Sequence, residues 1–529
     1  MRLSRVFACL IIVIAVFFCT IDSQAQGTNN SKRAMRKLSK FLRHLEKNYV
    51  DEVDLDNYVD IAIESIVSEL DPFSEYMSKE KTKKFRDFFN NKSASIGVGY
   101  MIVRDTAVVV RVLDDSPAFR AGVRGGDRIV AVNGKNIVGA DRKSLVEQLS
   151  GAVGESVSLD IYRSKSSENL TLNISYNNLP TLTVYSYRVN ESVGYIQITN
   201  FTKNTAKEFY DALEELSGVE SLILDLSNNT GGDFMTTINI AGAFLPDDAL
   251  ICYAEGRKSS RYNYYCKSSA AKFDGNLVVM INEHSASASE ILAGALQDWD
   301  RALVVGRRSL GKGLGQYVYN LDDGSSVKLS IANFYTPSGR CIQRQYEMGN
   351  KDGFYQSYKA DDSSFYDASV YQTYKSLIAG RTLYSGNGIA PDIFIEGDSR
   401  IRFHSEIADM LQLCTSDFVV YYLDKCSYER PAECPTCLDF ISNVQIDEED
   451  IRQFRNIVSE RAPKFDISTL SDEDWDEIFA FLINNISWHL YPTVEFRQAD
   501  NQLYNAIYEA AVSVVLNWDS YSYLLQPTE

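Results

Sequence analysis

Apolar positions near the amino end of the chain recur with the spacing of an α-helix. Two stretches between residues 31 and 90 carry them, and their members are Met35, Leu38, Leu42, Leu45 and Tyr49, then Val59, Ile63, Ile66 and Leu70. Side chains three and four positions apart share one helix face. The pattern therefore predicts two amphipathic helices whose apolar faces form core or interface surface.

A different pattern follows residue 179, where short unbroken apolar runs alternate with segments of helical composition. Residues 222–226, 277–281 and 302–305 are such runs, and residues 205–216 have helical composition. Runs of this kind are typical of strands buried on both faces. Their alternation with helices predicts an α/β layered sheet. Residues 401–529 are acidic and mostly helical, with residues 501–518 as the clearest helix, and they show no catalytic pattern.

The stretch from residue 277 to residue 316 carries the candidate chemistry. Its buried strand ends in small residues that favour turns and helix caps, including Ser285, Ser287 and Ser289. A serine on a strand-to-helix turn lies beside amides that can stabilise a nearby negative charge. Such a serine suits the role of nucleophile, although Ser287 taken alone is more often a helix cap, and Ser285 and Ser289 are rival candidates for the nucleophile.

A serine nucleophile needs a base. The chain has four histidines, at positions 44, 284, 404 and 489. Only His284 is near, and its short distance from Ser287 along the chain is poor geometry for a triad. Lys312 follows Ser287 by 25 positions (312 minus 287) in a glycine-flanked loop. A lysine can act as general base if burial lowers its pKa, so Lys312 is the better candidate.

Phosphate binding is a rival interpretation of the same loop. Gly306, Gly311 and Lys312 match most of a P-loop that follows a strand. The match fails at Gly313, where a P-loop has the Ser or Thr that binds magnesium. The residues after it alternate like a strand, whereas a P-loop opens a helix. We therefore do not expect nucleotide binding.

Together these motifs resemble the active site of the carboxyl-terminal processing peptidases, also called tail-specific proteases. The resemblance lies in Ser-Ala-Ser-Ala-Ser-Glu-Ile at residues 285–291 and Gly-Lys-Gly-x-x-Gln at residues 311–316, and it extends over residues 30–400. It implies that Ser287 is the nucleophile, Lys312 the base, and Gln316 the residue that orients the lysine.

The family's glycine motif is also present, as Asp-Leu-Ser-Asn-Asn-Thr-Gly-Gly at residues 225–232. The resemblance implies that Gly231 or Gly232 supplies one oxyanion-hole amide and Ala288 the other. Ser227 departs from the family pattern, which commonly has arginine there. Three further segments resemble family elements: Asp-Pro-x-Ser at residues 71–74, residues 335–340 and residues 388–392. The insert at residues 344–380 has no readable function.

Residues 92–178 resemble a PDZ domain. Its peptide-tail site would be Ile96, Gly97, Val98 and Gly99, whose amides can hold a carboxylate. In that binding mode an extended peptide adds to a sheet edge. Residues 141–149 would be the helix that lines the groove, with Asp141 at its start. A purely structural PDZ role is the alternative.

Composition limits location and partners. The net charge of −18 argues against nucleic acid and anionic membranes as partners. Residues 1–25 combine two arginines, an apolar stretch and a small-x-small cleavage site, which predicts a signal peptide and export to the periplasm or cell envelope. An uncleaved anchor is the alternative.

Seven cysteines remain outside the predicted leader, at positions 252, 266, 341, 414, 426, 434 and 437. Four of them lie between residues 414 and 437 and could bind zinc. Their spacing matches no standard site and no histidine is close, so disulfides or buried thiols are preferred.

These inferences combine into an α/β multidomain chain: signal peptide 1–25, helical region 26–91, PDZ domain 92–178, protease core 179–400 and helical region 401–529. We expect an exported serine endopeptidase that needs no cofactor or metal and cuts proteins with free carboxyl-terminal tails. The terminal helical regions are expected to offer surfaces for self-association. The alternative function is a non-catalytic peptide-binding scaffold.

Overall fold

The computed structural model describes residues 30–90, 94–179, 181–258, 260–267, 272–356, 371–396 and 403–526. The predicted leader and the middle of the 344–380 insert lie outside these residues. The described parts form a helical amino-terminal region, a β-rich domain, a core of two sheets and a helical carboxyl-terminal region, which confirms the predicted α/β multidomain fold class. None of the described helices has the length and apolar content needed to cross a membrane.

The amino-terminal region is helical, as predicted. Residues 30–48 form α1, and the elements that follow are α2 Leu55–Ser68, β1 Glu75–Met77 and α3 Lys79–Phe89. Asp54 caps α2, because its carboxylate accepts hydrogen bonds from two amides of the first turn. Much of the predicted apolar stripe faces solvent: Met35 in α1 is 71% exposed, and Tyr49, directly after α1, is 55% exposed.

The second region is an antiparallel sheet with two short helices. Its elements are β2 Ala94–Ser95, β3 Val98–Val103, β4 Thr106–Val112, α4 Pro117–Ala121, β5 Asp127–Val132, β6 Lys135–Asn136, α5 Arg142–Gln148, β7 Ser156–Arg163, β8 Glu168–Ser175 and β9 Asn177–Asn178. The main strand order is β3-β4-β5-β7-β8, so β3 lies at an edge of the described sheet. The Asp141 carboxylate accepts the Ser144 amide and caps α5, which confirms the predicted helix start.

The core alternates strands and helices. Its elements are β10 Val184–Arg188, β11 Val193–Ile198, α6 Thr205–Glu215, β12 Ser221–Asp225, α7 Phe234–Ala241, β13 Leu250–Glu255, β14 Tyr262–Tyr265, β15 Asn276–Ile281, α8 Ala288–Asp298, β16 Leu303–Gly306, β17 Leu314–Asn320, β18 Ser326–Tyr335, α9 Lys351–Gln356, β19 Thr373–Lys375, β20 Thr382–Tyr384 and β21 Ile393–Phe394. The three predicted buried runs are confirmed as β12, β15 and β16.

These strands form two main sheets. One has the order β10-β11-β12-β15-β16-β21, and its strands from β11 onward are parallel to their neighbours. Helices α6, α7 and α8 pack on one of its faces. The other sheet joins β1, β18, β13 and β14, with β17 beside β18. The loop from β16 to β17 passes from the first sheet to the second, and it carries Lys312.

The carboxyl-terminal region contains α10 Ser405–Lys425, α11 Cys437–Asn443, α12 Glu448–Arg461, α13 Asp472–Leu490, α14 Thr493–Tyr504 and α15 Ala506–Leu516. The continuous helix predicted for residues 501–518 is wrong. Asn505 has extended backbone (φ −108°, ψ 97°), and its side chain caps α15 by accepting the Tyr508 amide. Helix α15 packs on the face of the parallel sheet opposite α8.

The seven cysteines are free thiols in the described part of the chain. Cys414, Cys434 and Cys437 are buried in the carboxyl-terminal helices, which matches the buried-thiol alternative. Within the described residues, no group of three or more His, Cys, Asp or Glu side chains is arranged to hold a metal ion.

Candidate active site

Ser287 lies on the turn between β15 and α8 with a backbone geometry that is unusual for serine. Its φ is +57° and its ψ is −111°. A residue other than glycine rarely has positive φ, and such strain concentrates at functional sites. Ser287 precedes the first residue of α8 and is partly exposed. Ser287 therefore lies on a strand-to-helix turn at a helix amino terminus, as the sequence predicted.

The two rival serines have structural roles. Ser285 and Ser289 are fully buried. The Ser285 hydroxyl donates to the Leu226 carbonyl at 2.8 Å, and the Ser289 hydroxyl donates to the Asn229 carbonyl at 2.9 Å. Both hydroxyls tie the serine turn to the glycine-rich loop that follows β12. Ser287 is thus the serine of this turn whose side chain is left for chemistry.

The glycine-rich loop touches the serine turn directly. A Cβ atom on Gly231 would lie 2.8 Å from Ser287 Cβ and 3.0 Å from the Ala288 nitrogen, so no larger residue fits there. Gly231 has φ +99° and Gly232 has φ +145°. The Asn229 carbonyl also accepts the Ala286 amide at 2.9 Å. Gly231 and Ala288 therefore meet beside Ser287, and Gly232, the third predicted oxyanion-hole residue, follows Gly231 directly and lies against the Phe201 backbone.

The amides of these residues are not equivalent. The Gly231 amide donates to the Asn229 side chain at 2.8 Å, which occupies it. In the described part of the chain, the Gly232 and Ala288 amides have no acceptor. Unsatisfied amides beside a nucleophile are what an oxyanion hole requires. Of the two glycines left open by the sequence, Gly232 is the one whose amide is available.

Lys312 lies in the loop between β16 and β17 and is partly buried. Its ammonium is 5.2 Å from the centre of the Phe73 ring. Burial lowers the pKa of Lys312, and the charge of Lys328 lowers it further, while Glu290, Glu75 and Asp71 oppose the shift. The lysine environment thus favours the neutral amine, the form that can accept a proton.

Glu290 connects the serine turn to the lysine loop. Its side chain is fully buried. One carboxylate oxygen accepts the Ser287 and Lys312 amides, each at 2.8 Å. The other accepts the Ser309 hydroxyl at 2.6 Å and the Gly311 amide at 2.7 Å. A single carboxylate therefore fixes the backbone of both candidate catalytic residues.

Gln316 does not contact Lys312 through a hydrogen bond in the described structure. Its amide nitrogen donates to the Phe73 carbonyl at 2.8 Å. Phe73 belongs to the turn that Asp71 organises by accepting the Phe73 and Ser74 amides, both at 2.9 Å. Gln316 thus holds the residue whose ring lies against the lysine, so it acts on Lys312 indirectly here.

The histidines lie apart from this arrangement. The His284 side chain is 63% exposed, and its Nε2 atom is 3.8 Å from Glu283. His489 is partly buried beside the PDZ-like domain, where burial and then the charge of Arg111 lower its pKa to about 4. Neither side chain has a hydrogen bond to Ser287 within the described residues.

The predicted tail-binding residues lie at the start of edge strand β3. Ile96 is buried, and its carbonyl accepts the Ala118 amide at 2.9 Å. The Gly97 amide donates to the Ser95 hydroxyl at 3.0 Å, so it is occupied. Val98 packs on the domain core, and Gly99 pairs with Arg111 of β4. The β3 edge that a peptide would join has no strand neighbour in the described sheet.

Sequence reasoning missed Glu290, Asn229 and the part played by Asp71. Glu290 follows Ser287 by three positions, the spacing of a capping box. That spacing predicts that the Ser287 amide donates a hydrogen bond to the glutamate carboxylate, and the structure contains this bond. It does not predict the bonds to the lysine loop. Those depend on where β16 and its following loop lie in the folded chain.

Comparisons with known proteins show which families this chain resembles. A model of peptidase family S41 matches residues 192–351, a PDZ domain model matches residues 94–174, and a model of the activating protease CtpB N-terminal domain matches residues 18–81. Among solved structures, the photosystem II D1 C-terminal processing protease is 25% identical, with a TM-score of 0.36, over 67% of this chain and 86% of that one.

Two relatives are similar over most of their length. The carboxy-terminal processing protease CtpB of Bacillus subtilis is 32% identical over 332 residues, which span 61% of this chain and 69% of that protein. The carboxy-terminal-processing protease of Bartonella bacilliformis is 31% identical over 332 residues, which span 61% of this chain and 76% of that protein. With its S41 core and PDZ domain, the chain belongs to the family of carboxy-terminal processing proteases.

Proposed function

We propose that this protein is an exported serine endopeptidase that cuts substrates near their carboxyl termini with a Ser287–Lys312 dyad. The observation that carries the proposal is the Glu290 carboxylate, which accepts the backbone amides of both residues at 2.8 Å. A shared buried anchor holds a strained serine and a lysine of lowered pKa in one site. This is the preorganisation that covalent catalysis requires.

In the proposed reaction, the Ser287 hydroxyl attacks the scissile carbonyl while neutral Lys312 accepts its proton. The oxyanion forms beside the Gly232 and Ala288 amides, each worth about 3 kcal/mol of transition-state stabilisation. The lysine then returns the proton to the leaving amine, and an acyl-enzyme remains on Ser287. Water then attacks the ester: the Lys312 amine accepts a proton from the water and passes it to the Ser287 oxygen as the bond between that oxygen and the acyl carbon breaks, which releases the carboxylic acid product.

Glu290 acts in this proposal as a positioning residue. Burial raises its pKa, while its bonds to Ser309, Ser287, Gly311 and Lys312 favour the ionised form. All of these groups donate, so the carboxylate serves best with both oxygens as acceptors. Because it binds the backbone amides of Ser287 and Lys312, it fixes the main-chain positions from which the serine hydroxyl and the lysine amine extend.

The PDZ domain is proposed to select substrates by a free, apolar carboxyl-terminal tail. A peptide strand added to β3 would extend the sheet, with its carboxylate near Ile96–Gly99. Because the Gly97 amide already donates to Ser95, the carboxylate donors in this proposal are the neighbouring amides of the same stretch.

Two broader proposals concern location and assembly. Export rests on the predicted leader at residues 1–25, and sequencing the amino terminus of the protein recovered from the cell envelope tests it.

Self-association rests on α1, whose stripe includes Met35 at 71% exposure and Leu38 at 47%. A second copy offering the same stripe would bury it. Sedimentation of wild-type protein and a Leu38→Glu variant distinguishes dimer from monomer.

Replacing either member of the dyad should abolish cleavage. We expect Ser287→Ala and Lys312→Ala each to lower kcat by roughly a thousandfold or more, because each removes a group used in bond making. Peptide cleavage and labelling by a fluorophosphonate probe measure this, with circular dichroism to verify folding. His284→Ala is the control and should stay active. Full activity in either folded dyad variant would instead favour a different site, and an unlabelled wild-type protein would favour the non-catalytic scaffold.

Glu290→Gln should lower kcat by about a hundredfold while changing KM little. An amide keeps only one acceptor oxygen, so two of the donors lose their partner and the site loses its alignment. Steady-state kinetics on one peptide separate kcat from KM. Glu283→Gln, at a carboxylate that pairs with Arg307 outside the dyad, is a matched control. Wild-type kcat in Glu290→Gln would contradict the positioning role.

Activity should rise with pH in a single step and stay high above it. Lys312 must be neutral to act as base, and its lowered pKa sets the pH at which it loses its proton. Lys328→Met should move the step to higher pH, because removing that positive charge raises the pKa of Lys312. The pH profile of kcat/KM measures both. A step that disappears in His284→Ala while activity persists would assign the profile to the histidine.

Amidating the substrate tail should lower kcat/KM about tenfold or more. The amide loses the charge-assisted bonds that a carboxylate makes to backbone amides. The test compares free-tail and amidated versions of one peptide with the intact enzyme. Equal cleavage of the two would reject tail selection by the PDZ domain and leave the dyad untouched.

A further inference from the structure

The outer face of the PDZ sheet is buried against the carboxyl-terminal helices. Side chains of β4 alternate: Ala107 and Val109 enter the PDZ core, while Val108 and Val110 pack among the residues of α10, α12 and α13. Met101 of β3 also packs on these helices. The contact is therefore continuous with the core of the carboxyl-terminal region and is more than a surface touch.

Polar contacts surround this apolar patch. The Arg128 guanidinium binds both oxygens of Asp424, at 2.6 and 3.3 Å. Arg111 donates to the Trp488 carbonyl at 3.2 Å and to the Thr493 hydroxyl at 3.1 Å. Bidentate and multiple bonds of this kind fix orientation as well as contact. The PDZ domain is thus held at several points that lie on different helices.

One further contact is possible because Gly125 has no side chain. A Cβ atom on Gly125 would lie 2.7 Å from the Tyr428 ring, which packs flat over the turn before β5. The positive φ of Tyr428, +61°, places its ring there from the end of α10. The two surfaces are therefore fitted to one another at this turn.

The same helical region is anchored on the protease core. Helix α15 covers the parallel sheet through Ile507, Ala511 and Val514. Arg497 of α14 donates to the Gln197 side chain at 2.5 Å, and Gln197 donates to Asp225 at 3.0 Å. The Asp225 carboxylate accepts the Ser227 amide in the glycine-rich loop at 2.7 Å. The region thus contacts the PDZ domain at one end and the support of the oxyanion loop at the other.

We infer that residues 403–526 are a clamp that holds the PDZ domain at one distance and orientation from Ser287, with Arg128 and Asp424 as positioning residues for cleavage. The clamp covers a face of the PDZ sheet, and in the described sheet the outer edge of β3, where a peptide strand would add, has no strand neighbour. A tail bound at that edge would then start at a constant distance from the serine. The inference rests on the proposed tail selection. It adds that the number of residues between the cut and the carboxyl terminus falls within a narrow range.

Charge reversal tests the clamp. Arg128→Asp and Asp424→Arg each place like charges at the interface, and combining them restores an ion pair. The Arg128 and Asp424 side chains are 21% and 38% exposed, so the variants alter the edge of the contact and leave its apolar centre intact. Lys207→Asp disrupts the exposed pair with Asp211 on α6 and is the matched control.

The readout is the set of products from a free-tail peptide, mapped by mass spectrometry, together with kcat and KM. Each single reversal should spread the cut positions and raise KM several-fold, while kcat/KM for the amidated peptide stays unchanged. The double reversal should restore both the narrow spacing and KM. The Lys207→Asp variant should match wild type.

Two outcomes would overturn the clamp: unchanged products and KM in both folded single variants, or no recovery in the double reversal. If a single variant unfolds, Asp424→Asn takes its place, because it removes the negative charge without adding repulsion. It should also spread the cut positions and raise KM, but by less than a charge reversal. Tail selection fails separately, because equal cleavage of free-tail and amidated peptides by the wild-type enzyme would reject it before any variant is compared.

Discussion

A carboxylate buried without solvent must find donors, and in this protein that requirement shapes the active site. Glu290 is fully buried on the first turn of α8. An ionised group there is costly unless its oxygens are bonded. Its donors are the Ser287, Gly311 and Lys312 amides and the Ser309 hydroxyl. Three of the four come from the lysine loop, so the loop cannot leave α8 without exposing an unpaired charge.

The opposite end of α8 also carries a buried carboxylate that must find donors. Asp298 lies in the last turn, where a negative charge opposes the helix dipole. Arg340 compensates it at 2.5 Å, and the Ser338 amide donates to its other oxygen at 2.7 Å. Arg381 pairs with Asp392 at 2.7 Å beside this contact. The family-like segments at residues 335–340 and 388–392 thus hold the nucleophile helix, and their sequence pattern has a structural explanation.

Local patterns predicted what depends on local physics. The buried strands, the serine turn and the start of α5 follow from apolar runs and capping residues, and all are present. The break at Asn505 was missed because a helix-forming composition hides a side chain that caps a new helix. Gly231 was equivalent to Gly232 in the sequence, and only the bond from its amide to Asn229 distinguishes them. The contact between the PDZ sheet and the carboxyl-terminal helices could not be predicted from the sequence, because an apolar face does not specify which surface will cover it.

Lys312, the proposed base, is a further case in which distant segments act on one atom. Burial is the main cause of the lowered Lys312 pKa, and part of that burial comes from Phe73, whose ring faces the ammonium at 5.2 Å. Phe73 is placed by Asp71 in the turn after α2, and its ring packs on Phe354 at 5.2 Å. Gln316 holds the Phe73 carbonyl from β17. The amino-terminal helical region therefore contributes to the lowered pKa of Lys312, because withdrawing that turn would return the amine to water and raise its pKa toward the ordinary value.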